Sequence, residues 1–331
     1  MLLLAIGFLA GHATWLTLRT HAFADQERIA RESLSTLLFG GDRADAERTL
    51  RRLPRGSQIR LLVEIGRNLT GNDLEQVRSL ARDLGILDHA RRETHSRHWD
   101  RRLHGIRLLT LFDAEGETIA ALLDDPDDTV RAQAIESIAG HPTPKVIDRL
   151  IALLDDRASF CRFAVQDTLL RIGPAAIEPL AHHLEHSVSP GATVALRVAL
   201  GMPDHRFLEG VVELTRDPSA ECREEAARVL ASVGGTAPLL VLEALLEDPS
   251  GRVRAAAALG LGELQHWPAA AKLAALLRDR EFDVRRAAAL ALDQLGPSGE
   301  LVLRRALAER DPFAADMARL VLGTAAVQRA H

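Results

Sequence analysis

Few residues in this chain could do chemistry, and the first group to weigh is His182, His183, Glu185 and His186. Side chains four apart share a helix face, so His182 and His186 could both reach one metal ion. Two ligands do not complete a site, and this spot should be a helix end open to water, so neither a metal nor a cofactor is expected. The only cysteines, Cys161 and Cys222, each stand five residues after the start of a recurring Asp-led motif, where other copies carry Val130, Val253 and Val284. That register makes them buried small hydrophobes. Two copies of the motif separate them, roughly 20 Å if helix layers stack at ~10 Å, whereas a disulfide needs Cα atoms within about 7 Å. Arg131, Arg162, Arg223, Arg254 and Arg285 all fall six residues after a motif start and form a ladder. Such a ladder could clamp phosphates, or each guanidinium could pair with a turn aspartate such as Asp125 or Asp156 and tie one copy to the next. No nucleophile, acid–base pair or metal set is complete, so no catalytic residue is assigned.

The element that must hold these residues is the motif itself, read most fully as Asp-Pro-Ser-Gly-Arg-Val-Arg-Ala-Ala-Ala-Ala-Leu-Gly-Leu-Gly-Glu-Leu from Asp248 to Leu264. Copies start at Asp125, Asp156, Ser187, Asp217, Asp248, Asp279 and Asp311, in steps of 31, 31, 30, 31, 31 and 32 residues. A period of that size means stacked units rather than one globular core. Three residues before the starts stand Leu122, Leu153, Leu184, Leu214, Leu245 and Leu276; thirteen after stand Ile138, Leu169, Leu200, Leu230, Leu261 and Leu292. Each register buries one seam on one helix of a pair. The Asp or Ser at the start can accept from free backbone N–H groups, and Pro126, Pro218, Pro249 and Pro312 suit a turn or a first helical turn. The expected fold is all-α: a right-handed α-solenoid of about seven helical hairpins of ~31 residues.

Composition agrees, since 47% of residues are hydrophobic but only 4% aromatic and Tyr is absent, leaving Leu, Ala, Val and Ile to build helix–helix contacts. Residues 1–113 carry 18 basic against 14 acidic side chains, and the remainder 23 against 32. An acidic array argues against a nucleic-acid groove. Residues 1–24 read as a membrane anchor or signal segment, because Leu2 to Leu18 has no formal charge and Trp15 sits near its end. Arg19, Arg28 and Arg31 follow the run, and by the positive-inside rule they place the repeats in the cytoplasm. Cleavage after Ala22-Phe23-Ala24 is the alternative and would leave the protein secreted or periplasmic. Residues 25–113 read as a helical capping region and 114–331 as the repeat array. Between Arg78 and Arg107 lie eight arginines and four histidines, facing either anionic lipid or, since acids are interleaved, plain solvent.

Leu-Leu-x-Asp-x-x-x-x-Val-Arg-x-x-Ala, from Leu245 to Ala257 and again around Leu122, Leu276 and, with changes, Leu214, resembles the HEAT-repeat pattern. The form is the short one named for the phycobilisome lyases, in a familiar bacterial arrangement with an N-terminal anchor. The 31-residue step and missing signatures exclude tetratricopeptide and ankyrin repeats. Among enzymes with such repeats, deoxyhypusine hydroxylase supplies paired His-Glu iron ligands, and no His-Glu dipeptide occurs here. HEAT-like DNA glycosylases need a basic concave face, which an acidic array lacks. The resemblance therefore implies a non-enzymatic scaffold or adaptor tethered to the membrane and binding a protein partner; the alternative is a HEAT-like lyase acting on a protein-bound cofactor.

Helical geometry places the binding surface. With positions 5, 9 and 13 after the start buried, positions 7 and 11 point ~160° away, onto the concave wall. Phe163, Val194 and Val198 then form one apolar patch and Leu259 with Leu290 a second, rimmed by Glu136, Asp167, Glu224 and Arg228. Such a layout would suit a partner helix or extended segment. The alternative is that second helices pack on one another through position 11 and bury these side chains.

Overall fold

The computed structural model describes residues 24–112, 116–186, 191–308 and 311–329. By packing, the chain divides into two compact units, Met1–Ser137 and Ile138–His331. Within the first lie α1 (24–38), α2 (Arg43–Arg51), α3 (Arg55–Gly66), α4 (Gly71–Asp83), α5 (Ile86–Thr94), α6 (Trp99–Leu111), α7 (Gly116–Ala120) and α8 (Asp128–Ser137). Successive helices α3 to α6 pair with their neighbours, and α6 also packs on α8. Leu61, Leu62, Leu80, Ile86, Ile106 and Leu109 are fully buried between them. At Gly105 a Cβ would stand 2.7 Å from the Ala90 carbonyl oxygen, so α5 and α6 touch backbone to backbone. Only glycine permits that approach.

The second unit holds α9 (Pro144–Ala152), α10 (Ser159–Ile172), α11 (Ile177–His186), α12 (Gly191–Gly201), α13 (Leu208–Leu214), α14 (Ala220–Val233), α15 (Thr236–Leu245), α16 (Gly251–Glu263), α17 (Ala270–Leu276), α18 (Phe282–Gln294), α19 (Pro297–Ala308) and α20 (Pro312–Arg329). Two layers result. The second helices of the hairpins, α10, α12, α14, α16 and α18, pack in that order, while α9, α11, α13 and α15 neighbour one another in the other layer. This is an all-α solenoid.

The repeat registers explain the layers. Position 5 is fully buried at Val130, Cys161, Cys222, Val253 and Val284, and position 13 at Leu169, Leu230, Leu261 and Leu292. Both cysteines are free thiols, and burial pushes the Cys222 thiol up to about 11. On the first helices the expected seam is buried at Leu122, Leu184, Leu214 and Leu245, and in two repeats it runs one residue later: Leu153 and Leu276 are half-buried, whereas Leu154 is fully buried and Leu277 is 1% exposed. Where α9 ends, the chain tightens into a 3₁₀ turn over Leu153–Asp155, which rotates the inward direction by a fraction of a turn. The opening aspartates bond the backbone two residues on, as Asp248 Oδ1 accepts from the Ser250 N–H at 2.8 Å, and Ser250 is the residue immediately before α16. They shape the turn that precedes the helix.

The expected membrane-anchored location is corrected by the helices themselves. Among the described residues no helix is long and apolar enough to cross a membrane. Each described α-helix carries at least one charged residue. The run from 2 to 18, on which both the anchor and the cleaved-signal alternative rested, lies outside the described residues.

Candidate interaction surface

The arginine ladder is built as paired scaffold chemistry. Arg223 donates through Nε and Nη2 to Asp248 at 2.8 and 2.9 Å, and Arg254 does the same to Asp279 at 2.9 and 2.8 Å. The remaining nitrogen, Nη1, reaches the carbonyl of its own turn's aspartate, at 2.9 Å from Arg223 to Asp217 and 2.8 Å from Arg254 to Asp248. Each guanidinium thus stitches its own turn and the next. Burial works to raise the Asp248 carboxyl, yet the Arg223 guanidinium, the Ser250 N–H and the Arg254 charge together hold it below its ordinary value, and Asp279 is held down the same way by Arg254 and the Glu281 N–H. Sequence reasoning missed one rung: Arg102 pairs with Asp125 at 2.6 and 2.7 Å and donates to the Ser96 carbonyl at 3.0 Å. Ser96 and Arg102 keep the six-residue spacing, which was the available signal.

The proposed groove residues divide. Phe163 is 71% exposed and lines a cavity of about 640 Å³ with Val194, Arg162 and Arg197. Val194 is 9% exposed, and Val198 is completely buried, so it packs in the core rather than lining a groove. The reason is lateral packing: α12 lies between α10 and α14, and its residues from Gly191 to Leu196 are all buried. Leu259 is half-buried and shares a second cavity, about 500 Å³, with Glu224, Arg228 and Arg252. Leu290 is 38% exposed and lines neither cavity. Asp167 is exposed and pairs with Arg171 at 3.0 Å; Glu136, in the first unit, is exposed beside Gln133.

Glu224 is not a rim residue, being only 6% exposed. Its carboxylate takes Arg228 at 2.5 Å and Arg252 at 2.7 Å, while the equally buried Glu225 takes Arg197 at 2.9 Å and Arg228 at 3.5 Å. With Glu221 on Arg197 at 2.7 Å, three carboxylates and three guanidiniums alternate across α12, α14 and α16. The two cavities lie at the ends of this closed network. Buried carboxylates are tolerated there because each is matched by charge.

Two other clusters were open to chemistry. Among the described residues, His182, Glu185 and His186 bring one ligand atom each within 4.8 Å of one another, all exposed to solvent. Nδ1 of His186 meets the His182 carbonyl at 2.9 Å, so three ligands from one helix end is the most this cluster offers. In the first unit, Arg55, Arg60, Arg67, Arg107, His89 and His104 line a cavity of about 850 Å³. Within the Arg78–Arg107 stretch Arg91 pairs with Asp88 at 2.6 Å, and His89 lies 3.5 Å from Glu93.

The chain is 32% identical over 138 residues to "Uncharacterized phycocyanin operon protein Z" of Pseudanabaena tenuis, covering 39% of this chain and 68% of that protein. Solved structures of similar fold include the karyopherin Kap121p bound to the SUMO protease Ulp1p, at 13% identity, TM-score 0.59, and 86% of this chain against 39% of that one. Kap95p in its RanGDP complex is similar at 12% identity, TM-score 0.51, and 92% against 51%. The chain spans about half or less of the length of these karyopherins, and the likeness is one of fold. A family model for HEAT repeats matches residues 117–201, 208–293 and 238–323. Covering more than half of the chain, that match shows that the protein belongs to the HEAT-repeat family.

Proposed function

We propose that the protein is a non-enzymatic scaffold that binds a protein partner on the second-helix face of the repeat array. The observation that carries this reading is Phe163, a large aromatic 71% exposed beside a cavity and next to a network whose charges are already paired. An exposed aromatic in such a place stabilises nothing in its own fold and is the kind of residue that anchors interfaces. HEAT solenoids of the karyopherin type, to which this fold is similar, include one solved with the SUMO protease Ulp1p bound. The rival class, a HEAT-like lyase acting on a protein-bound cofactor, would need a bound prosthetic group.

Affinity capture with the full chain, compared with Phe163→Ser and Leu259→Ser, tests the reading. Phe163→Ser is expected to shift thermal stability by less than about 0.5 kcal/mol, as exposed substitutions do, and to lose the captured partner. Val198→Ser, at a fully buried site outside the cavity, should cost about 1–3 kcal/mol and serves as the packing control. A partner retained by Phe163→Ser would move the binding face elsewhere. Stoichiometric metal or a visible absorbance band in the purified protein would favour the lyase class.

A further inference from the structure

In a complete rung such as Arg223 or Arg254 the guanidinium gives one nitrogen to its own turn and a two-nitrogen fork to the next. The own-turn contact is present at Arg162, whose Nη1 donates to the Asp156 carbonyl at 2.6 Å. Its fork is different. At Arg102, Arg223 and Arg254 the fork holds the aspartate that opens the following repeat. At Arg285 the guanidinium is covered by Phe313 and Phe282, with ring centroids 4.6 and 5.7 Å away, and the residue is only 9% exposed. The repeat after Arg162 opens with Ser187 in place of aspartate, so no acid is supplied there. Among the described residues no carboxylate pairs with Arg162, which lines the 640 Å³ cavity beside Phe163. Of the other charges on that cavity, Arg197 holds Glu221 at 2.7 Å, while the Asp155 carboxylate lies against Gly191, where a Cβ would meet its Oδ1 at 2.0 Å.

We infer that this cavity docks an acidic segment of the protein partner, whose Asp or Glu side chain enters the Arg162 fork as Asp248 enters that of Arg223. The inference rests on the scaffold reading. A planar guanidinium presents its two N–H groups at the spacing of a carboxylate's oxygens, so the fork selects for that shape and not only for charge. A single guanidinium with no carboxylate partner among the described residues, with Asp155 and Glu221 also lining the cavity, matches one carboxylate better than a phosphate dianion, which gathers several cations. Phe163 and Val194 form the apolar wall against which a residue adjoining the acid would pack.

The test selects a random dodecapeptide phage library on the full chain, then measures the best peptide in solution by fluorescence anisotropy. Selected peptides are expected to share an Asp or Glu next to an apolar residue. Affinity should fall about tenfold or more when that acid is made an amide, and likewise in Arg162→Met and in Arg162→Lys, which keeps the charge and loses the fork. Arg223→Met, whose fork is already filled, should lower thermal stability and leave peptide affinity within about twofold. Peptides without a shared acid, or binding indifferent to Arg162→Met, would overturn the site while leaving the scaffold reading standing. Displacement by inorganic phosphate more effective than by free peptide would assign the fork to phosphate and overturn the carboxylate. A library yielding no binder at all would count against both.

Discussion

The Arg223–Asp248 rung of the ladder makes four hydrogen bonds with two side chains. Asp248 accepts from the Ser250 N–H and from the Arg223 fork, while Arg223 returns to its own turn's carbonyl. Both partners are almost buried, with Asp248 at 6% and Arg223 at 12% side-chain exposure, so removing one leaves the other's charge uncompensated. Asp248→Asn should therefore cost about 3 kcal/mol at neutral pH. The sign of its pH dependence follows from the depressed carboxyl. A carboxylate whose folded-state pKa lies below its ordinary value, 3.8, contributes stability that is present above that value and is lost as pH falls through the lower folded one. Chemical denaturation of wild type and Asp248→Asn should show a constant gap from neutrality down to about pH 5, closing only below 3.8. A gap that closed between pH 5 and 7 would show the pair to be weak.

At the scale of elements, the second-helix layer depends on small residues where two helices meet. Gly262 on α16 faces α18 so closely that a Cβ would stand 2.6 Å from the Ala291 Cα and 2.9 Å from its Cβ. Backbone cannot yield as a side-chain tip can, so Gly262→Ala should separate the two helices. The expected cost is about 1–3 kcal/mol, measured by thermal or urea denaturation, even though alanine is the better helix former. Gly140, with nothing within 4 Å of the position of a Cβ, supplies the comparison, and Gly140→Ala should be nearly neutral. An equal loss at both positions would mean that helix contact is not what glycine serves at 262. The same lateral packing decides the fate of the groove residues: a helix flanked on both sides, like α12, buries the positions that a hairpin considered alone would leave outside.

Stability of the second unit should follow from its stacking as a whole. When each repeat touches only its neighbours, free energy is approximately a sum of local and nearest-neighbour terms, and opening begins at an end. Native-state hydrogen exchange is expected to find the slowest amides in α14 and α16, which are flanked on both sides, and the fastest in α20, which closes the row against α18 and α19. Uniform exchange across the unit would indicate a single cooperative core instead. Most charges are paired inside the repeats, so binding depends on the few places where the periodic pattern lapses. Repeat 3 is the clearest of these, lacking the opening aspartate at Ser187 and the ladder arginine at Thr193.

The period, the two leucine seams, the buried cysteines and the solenoid were all legible in the residues, because repetition fixes which positions each helix must bury against its like. The ladder was legible for the same reason, with its aspartate partners at Arg223 and Arg254, whereas Arg285 lies against Phe313 and Arg162 has no carboxylate among the described residues. Which face remains open was not. Reading one hairpin at a time placed Val194, Val198 and Glu224 outward, but lateral contact between second helices buried all three, and only assembled helices show that contact. The ion network from Arg197 to Arg252 and the cavities at its two ends likewise join residues of different repeats, whose distances are set by stacking rather than by spacing along the chain. A missing acid at position 187 could be noticed in the sequence, but that Arg162 stands at a cavity, with no carboxylate on its fork among the described residues, was decided by the tertiary structure.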